Sequence, residues 1–203
     1  MRRVLKKSPD PDEYNEKIKE LADLFALEAK GFLKIYFADE SGFTLTPYVP
    51  YGWHLTGEQL GIPSEKSARI NVFGLMSRDN ELGSYYSSGT FTSELVIACI
   101  DDFLSTLKGR SVIIIDNASI HHSDIFKEKI EEWKERELYI FYLPRYSPHL
   151  NIIEILWRKM KYEWLKPKDY DNLKTLREAL EKILVGFGRD FSINFKEPEV
   201  SII

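Results

Sequence analysis

The stretch Val112-Ile-Ile-Ile-Asp-Asn-Ala-Ser-Ile-His121 decides the fold class. Val112 to Ile115 is a short, continuous apolar run closed by Asp116, the pattern of a strand buried on both faces. Such a strand needs helices on both sides, and the flanking sequence supplies them. Upstream, Ser93 to Leu107 carries Leu95, Val96, Cys99, Ile100, Phe103, Leu104 and Leu107 at helical steps. Downstream, Asp124 to Glu135 reads as an amphipathic helix through Phe126, Ile130 and Trp133. A strand over Leu138 to Tyr142 follows it.

Working outward, Phe32 to Ala38 is apolar and rich in β-formers and runs into Asp39-Glu-Ser-Gly42, which resembles a turn. Phe43 to Val49, Arg69 to Met76 and Glu81 to Tyr86 are further candidate strands. Ile152 to Trp164 and Leu173 to Phe187 read as helices. Near the start, Met1 to Asp12 has the character of a linker. Tyr14 to Lys30 repeats apolar residues at helical spacing (Ile18, Leu21, Leu24, Phe25, Leu27) and stops at Gly31. An early meander followed by helix-linked strands predicts an α/β fold, a mixed sheet flanked by helices. In such sheets ligands bind at the carboxyl ends of strands, near the point where strand order reverses. No internal repeat is present.

Composition narrows the function classes. Of 203 residues, 43% are hydrophobic and 30% charged, ordinary for a globular protein that folds without a staple. The net charge of −4 argues against holding DNA by bulk charge. It is compatible with recruiting a divalent cation. No apolar run is long enough to span a bilayer, so no membrane partner is expected. The lone Cys99 cannot form an intrachain disulfide and lies on an apolar helix face, which suits a core position and a cytoplasmic location.

Three carboxylates close or open regular elements: Asp39, Asp116 and Glu154. Packing offers no reason for a charge just past a buried strand. Several at one rim repel one another unless a cation lies among them, and oxygen-only ligands suit Mg²⁺ or Mn²⁺. Two such ions about 4 Å apart can stabilise the attacking and leaving oxygens of a phosphodiester displacement. Each residue also has a structural reading. Asp39 can start a turn, Asp116 can cap the next helix, and Asn151-Ile-Ile-Glu154 fits a capping box. His121 is a candidate for contacting DNA, orienting a metal-bound group, capping a helix, or packing. The adjacent pair His121-His122 cannot face one site on a regular element, and Ser41, His121 and Asp116 lack the Gly-x-Ser-x-Gly elbow of a hydrolase.

The motifs carry a resemblance. Leu143-Pro-Arg-Tyr-Ser-Pro-His-Leu-Asn-Ile-Ile-Glu154, followed by Trp157 and Lys159, resembles the third-acid motif of mariner-like transposases and their bacterial insertion-sequence relatives. Asp116-Asn-Ala-x-x-His121 after an apolar strand resembles the second-acid motif, and Phe37-Ala-Asp-Glu-Ser41 the first. Val49 to Gly57 resembles the segment that follows the first acid. The likeness runs from about Gly31 to Leu165. It implies a ribonuclease-H-like fold, a DDE-type catalytic domain over 31–190, and cut-and-paste transposition. By position, Asp39, Asp116 and Glu154 become the catalytic, metal-binding triad, with two Mg²⁺ or Mn²⁺ ions. The chain departs from the family in two places. The 37 residues between Asp116 and Glu154 are slightly more than usual, and Ile152 stands where Pro is usual.

Basic residues follow the third acid. Arg158, Lys161 and Lys168 are candidate phosphate contacts, whereas Trp157, Met160 and Trp164 share a helix face and read as core. Arg2, Arg3, Lys6 and Lys7 can also track a backbone. Segment 1–30 reads as linker and helix, and 191–203 as a tail. Nothing before Gly31 is long enough for a helix-turn-helix reader, so a separate N-terminal recognition domain or protein is expected. The remaining expected partners are DNA, as element ends and target, and a second copy in an active homodimer. The competing expectation is a non-catalytic fragment that only binds DNA or dimerises.

Overall fold

The structure is a computed structural model that describes residues 10–47 and 69–195. The segment resembling the one after the first acid, the end of the candidate strand Phe43 to Val49, and Arg2, Arg3, Lys6 and Lys7 lie outside the described residues.

The chain opens with helix α1 (Pro11–Ala29). Asp10 caps it, its carboxylate accepting the N–H groups of Asp12 at 2.9 Å and Glu13 at 3.2 Å. Pro11 suits the first helical position because its missing N–H is not needed there. The helix therefore begins three residues before the expected Tyr14. Gly31, at φ +75°, turns the chain out of the helix.

Among the described residues, five strands form one sheet in the order β3-β2-β1-β4-β5. Strand β1 (Lys34–Thr44) pairs antiparallel with β2 (Arg69–Met76), which pairs antiparallel with β3 (Leu82–Ser87). On its other side β1 pairs in parallel with β4 (Ser111–Ile115), which pairs in parallel with β5 (Leu138–Tyr142). This is the expected meander plus helix-linked strands, with β1 at the centre.

The expected turn at Asp39 to Gly42 does not exist. The β1–β2 ladder runs without a break from Phe37↔Met76 to Thr44↔Arg69. Asp39-Glu-Ser-Gly has turn-forming residues, but a full ladder to a strand about thirty residues later outweighs that local preference. The two expected strands are thus one.

Side-chain alternation divides the core into two layers. Ile35, Phe37, Phe43, Val112 and Ile114 face α1, α4 (Ile153–Lys159) and α5 (Leu173–Val185). Tyr36, Ala38, Ile113 and Ile115 face α2 (Ser93–Leu104) and α3 (Asp124–Glu135). All five residues of β4 are buried, as its apolar run requires. Cys99 is buried in the second layer. Trp133 is fully buried there, its indole N–H donating to Asp101 at 2.7 Å. The helix expected over Ile152 to Trp164 is α-helical only to Lys159 and widens to a π turn over Met160–Trp164.

Candidate active site

β1 and β4 deliver two carboxylates to one place. Their parallel pairing is last recorded at Phe37↔Ile114. Two positions further along each chain lie Asp39 and Asp116. Asp39 sits inside β1, still paired with Gly74 of β2, at the point where β4 ends and the sheet opens beside it. Being two residues from Phe37, it points to the layer of α1, α4 and α5. Glu40 points to the opposite layer.

The third carboxylate comes from α4. Here the capping-box alternative fails. No side chain caps α4, and the Asn151 amide instead donates to the Ala38 carbonyl at 3.0 Å. The Glu154 side chain is left exposed. The Asn151–Ala38 bond ties the start of α4 to the residue before Asp39. Asp39, Asp116 and Glu154 then line a single cleft of about 380 Å³, together with Asn117, Arg145, Tyr146 and Asn151. Asp116 is not a helix cap either. Its carboxylate accepts the Ala118 N–H at 3.0 Å in a tight turn.

Two buried rings hold the two aspartates. The Trp157 indole N–H donates to Asp39 Oδ2 at 3.0 Å, and His121 Nδ1 lies 3.1 Å from Asp116 Oδ1. Trp157 is 2% exposed and His121 4%. His121 is therefore an internal partner of Asp116 and has no surface to offer DNA, which removes it from the DNA-contact candidates. His122 is exposed, stacks on Tyr142 and meets Asn117 Oδ1 at 2.7 Å. Asn117 also donates to the Leu143 carbonyl, joining the loops that follow β4 and β5.

The electrostatics differ between the two aspartates. Burial, and then the neighbouring Glu154 and Asp116, push the Asp39 carboxyl up to about 7, against the Glu40 N–H and Trp157 bonds. Asp116 is held below the usual range, chiefly by its bond to His121. Burial raises Glu40 and lowers Lys161, and Glu154 and Asp39 pull Lys161 back upward.

The donor set fits a hard divalent cation. It consists of oxygens from three separate elements, and a cation would relieve the charge that raises Asp39. Among the described residues, no three His, Cys, Asp or Glu side chains stand close enough to hold a metal as placed. Like charges repel, which favours a spread arrangement. Glu154 is exposed, so packing does not lock its side chain in one rotamer.

Of the basic candidates, Arg158 and Lys168 are exposed on the surface, and Lys161 is half-buried with its ammonium 5.2 Å from the Phe43 ring centroid. Arg145 and Tyr146 line the cleft but were not anticipated. Tyr146 has φ +59°, a left-handed conformation uncommon for a non-glycine residue. Their signal in the sequence was position. Both follow β5, at the carboxyl end of a parallel strand, where ligands collect.

Residues 34–177 match the family model described as DDE superfamily endonuclease. A protein of Shigella sonnei, "Insertion element IS630 uncharacterized 39 kDa protein", is 25% identical over 131 residues, covering 62% of this chain and 37% of that one. The matched part thus spans well under half of that relative. Among solved structures, the Mos1 mariner paired end complex with Mn aligns at TM-score 0.64 and 14% identity, over 91% of this chain and 58% of that one. The catalytic domain of Mos1 mariner transposase aligns at TM-score 0.57 and 12% identity, over 90% and 85%. At these identities the likeness is one of fold. The five-stranded mixed sheet flanked by helices is the ribonuclease-H-like arrangement expected from the motifs.

Proposed function

The chain belongs to the DDE superfamily endonucleases, and from that premise we propose that it is the catalytic domain of a DNA transposase. In this reading it hydrolyses phosphodiester bonds at element ends and joins them to target DNA, with Asp39, Asp116 and Glu154 as the catalytic, metal-binding residues. One observation carries the reading. Carboxylates from β1, from the end of β4 and from the first turn of α4 line one cleft, where burial and then the other two carboxylates raise Asp39 to about 7.

The cofactor is Mg²⁺ or Mn²⁺, as two ions held by the three carboxylates. When bound, they would activate the attacking oxygen and stabilise the leaving one. The chain's own residues do the rest. Trp157 and His121 fix the carboxylate planes of Asp39 and Asp116. Glu154 closes the ligand set from the exposed side. Arg145, at the open edge of the cleft, supplies positive charge for a phosphate. Arg158, Lys161 and Lys168 remain proposed DNA contacts. The partners are element ends, target DNA, a second copy of the chain, and a separate recognition module. Such a protein works in the cytoplasm, at the nucleoid. Among the described residues no helix is long and apolar enough to cross a membrane.

The test is nicking of a supplied DNA end by the intact chain at low salt and high DNA concentration, with Mn²⁺. Wild type nicks and Glu154→Gln does not, while without metal the variant melts no lower than wild type. If wild type fails to nick over a range of DNA ends and Mn²⁺ concentrations, the chain is a fragment that only binds or dimerises. Equal nicking by both proteins removes Glu154 from the site.

A further inference from the structure

Asp39 lies inside a strand, so its carboxylate has no loop to adjust it. The Glu40 backbone N–H is one partner, and the side chain that reaches it comes from α4. Asn151, just before α4, and Glu154 and Trp157 within it follow one another at three-residue intervals. Asn151 binds the Ala38 carbonyl at 3.0 Å and Trp157 binds Asp39 Oδ2 at 3.0 Å. Glu154 lies between these two anchors. The two bonds hold the backbone of the first turn of α4, which carries Glu154, beside Asp39.

Trp157 reaches Asp39 because of Gly74, the residue paired with Asp39 across the β1–β2 ladder. A Cβ at Gly74 would lie 2.8 Å from Trp157 Cη2 and 3.0 Å from both Trp157 Cζ2 and Ile153 Cδ1. Real Cβ atoms are not found that close to a ring carbon packed in a core. Gly74 has no left-handed conformation to explain it, so the close approach of the indole is its structural role. On its other side the indole meets Phe43 edge-on, with ring centroids 6.3 Å apart. The ring is seated between strand and side chain with its N–H aimed at the carboxylate.

We propose that Trp157 is a positioning residue for the metal ligand Asp39, seated by Gly74. Its bond to Oδ2 holds the carboxylate that lines the cleft. The inference rests on the metal site proposed above. Partners that orient a ligand characteristically change metal affinity by about 10–100-fold when removed.

The test has a metal-free arm and a metal arm, both on the intact chain. In the metal-free arm, the indole N–H resonance of Trp157 is assigned as the one lost in Trp157→Phe. It is expected to shift in Asp39→Ala, and a resonance unmoved by that substitution overturns the proposal. In the metal arm, Mn²⁺ is titrated calorimetrically into wild type, Trp157→Phe, Gly74→Ala and Glu154→Gln. Trp157→Phe keeps a ring in the layer and loses only the N–H. Gly74→Ala keeps the N–H and displaces the ring. Both are expected to bind Mn²⁺ about 10-fold or more weakly. If Trp157→Phe binds as tightly as wild type while Glu154→Gln is weakened, the metal site stands and the positioning role falls. If wild type binds no Mn²⁺, the metal site itself is overturned, and the role with it. Should either variant fail to fold, the indole resonance in wild type and Asp39→Ala decides alone.

Discussion

Replacing Asp39 with Asn should make the metal-free protein more stable at pH 8. The Asp39 carboxyl is raised to about 7 by burial and by Glu154 and Asp116. An unfolded chain holds an Asp near its ordinary value of about 3.9. Folding therefore takes up a proton between these two values. The stability linked to Asp39 is fully present below pH ~4, falls as pH rises towards ~7, and is level beyond. A difference of about three pH units corresponds to at most about 4 kcal/mol. Water reaching the open side of this half-buried carboxylate brings the expectation to about 2 kcal/mol. For a chain of this length, that is a rise in melting temperature of about 4–8 °C. Asn still offers an oxygen to the Trp157 N–H and carries no charge. The assay is thermal unfolding in a chelator from pH 4 to 8.5, comparing the variant with wild type. Glu28 and Glu40 also have raised carboxyls, so only the difference between the proteins isolates Asp39. The gain should shrink steadily toward pH 4, and Mn²⁺ should raise the melting temperature of wild type alone. A variant less stable than wild type at pH 8, or a gain that does not change with pH, refutes the electrostatic account of the cleft.

Two further predictions concern Asp116 and its loop. His121→Phe keeps the ring contact with Phe126 and removes the bond that chiefly holds Asp116 down. The Asp116 carboxyl should titrate at higher pH, followed by carbon NMR, and an unchanged titration would assign its depression to the Ala118 N–H instead. Asn117→Ala cuts the bond between the loops after β4 and β5. It should lower stability by about 1–2 kcal/mol and speed amide exchange in Arg145 to Ser147, whereas unchanged exchange there would mean that the loop is held by other contacts.

Much of the fold was legible because β4 is an unusually clear signal. Five buried residues in a row, followed by Asp116, left few other placements, whereas the pairing of β1 with β4 is a long-range choice that no local stretch of sequence spells out. What could not be read locally was set by distant partners. Asp39-Glu-Ser-Gly has the composition of a turn, and only the ladder to Arg69–Met76 makes it strand. Asn151 has the composition of an N-cap, and the Ala38 carbonyl, 113 residues away in sequence, claims its amide. The site shows the same division. Asp39, Asp116 and Glu154 were visible as carboxylates at element ends or in motifs. Trp157 was readable as core from its helix face with Met160, and it is core, but the partner of its N–H is not encoded nearby. His121 was visible only as a candidate, because its burial depends on the 3₁₀ turn Ser119–His122 and on Tyr142, whose hydroxyl donates to the His121 carbonyl at 2.6 Å.

The central claim is that Asp39, Asp116 and Glu154 form one divalent-metal site. The most direct measurement is anomalous diffraction at the manganese edge from crystals of the intact chain soaked in Mn²⁺. The account predicts anomalous density in the cleft, within coordination distance, about 2.0–2.3 Å, of oxygens from all three residues, and its loss in Glu154→Gln or Asp116→Asn. Manganese bound elsewhere, or an empty cleft at saturating Mn²⁺ with the three carboxylates still apart, would contradict it.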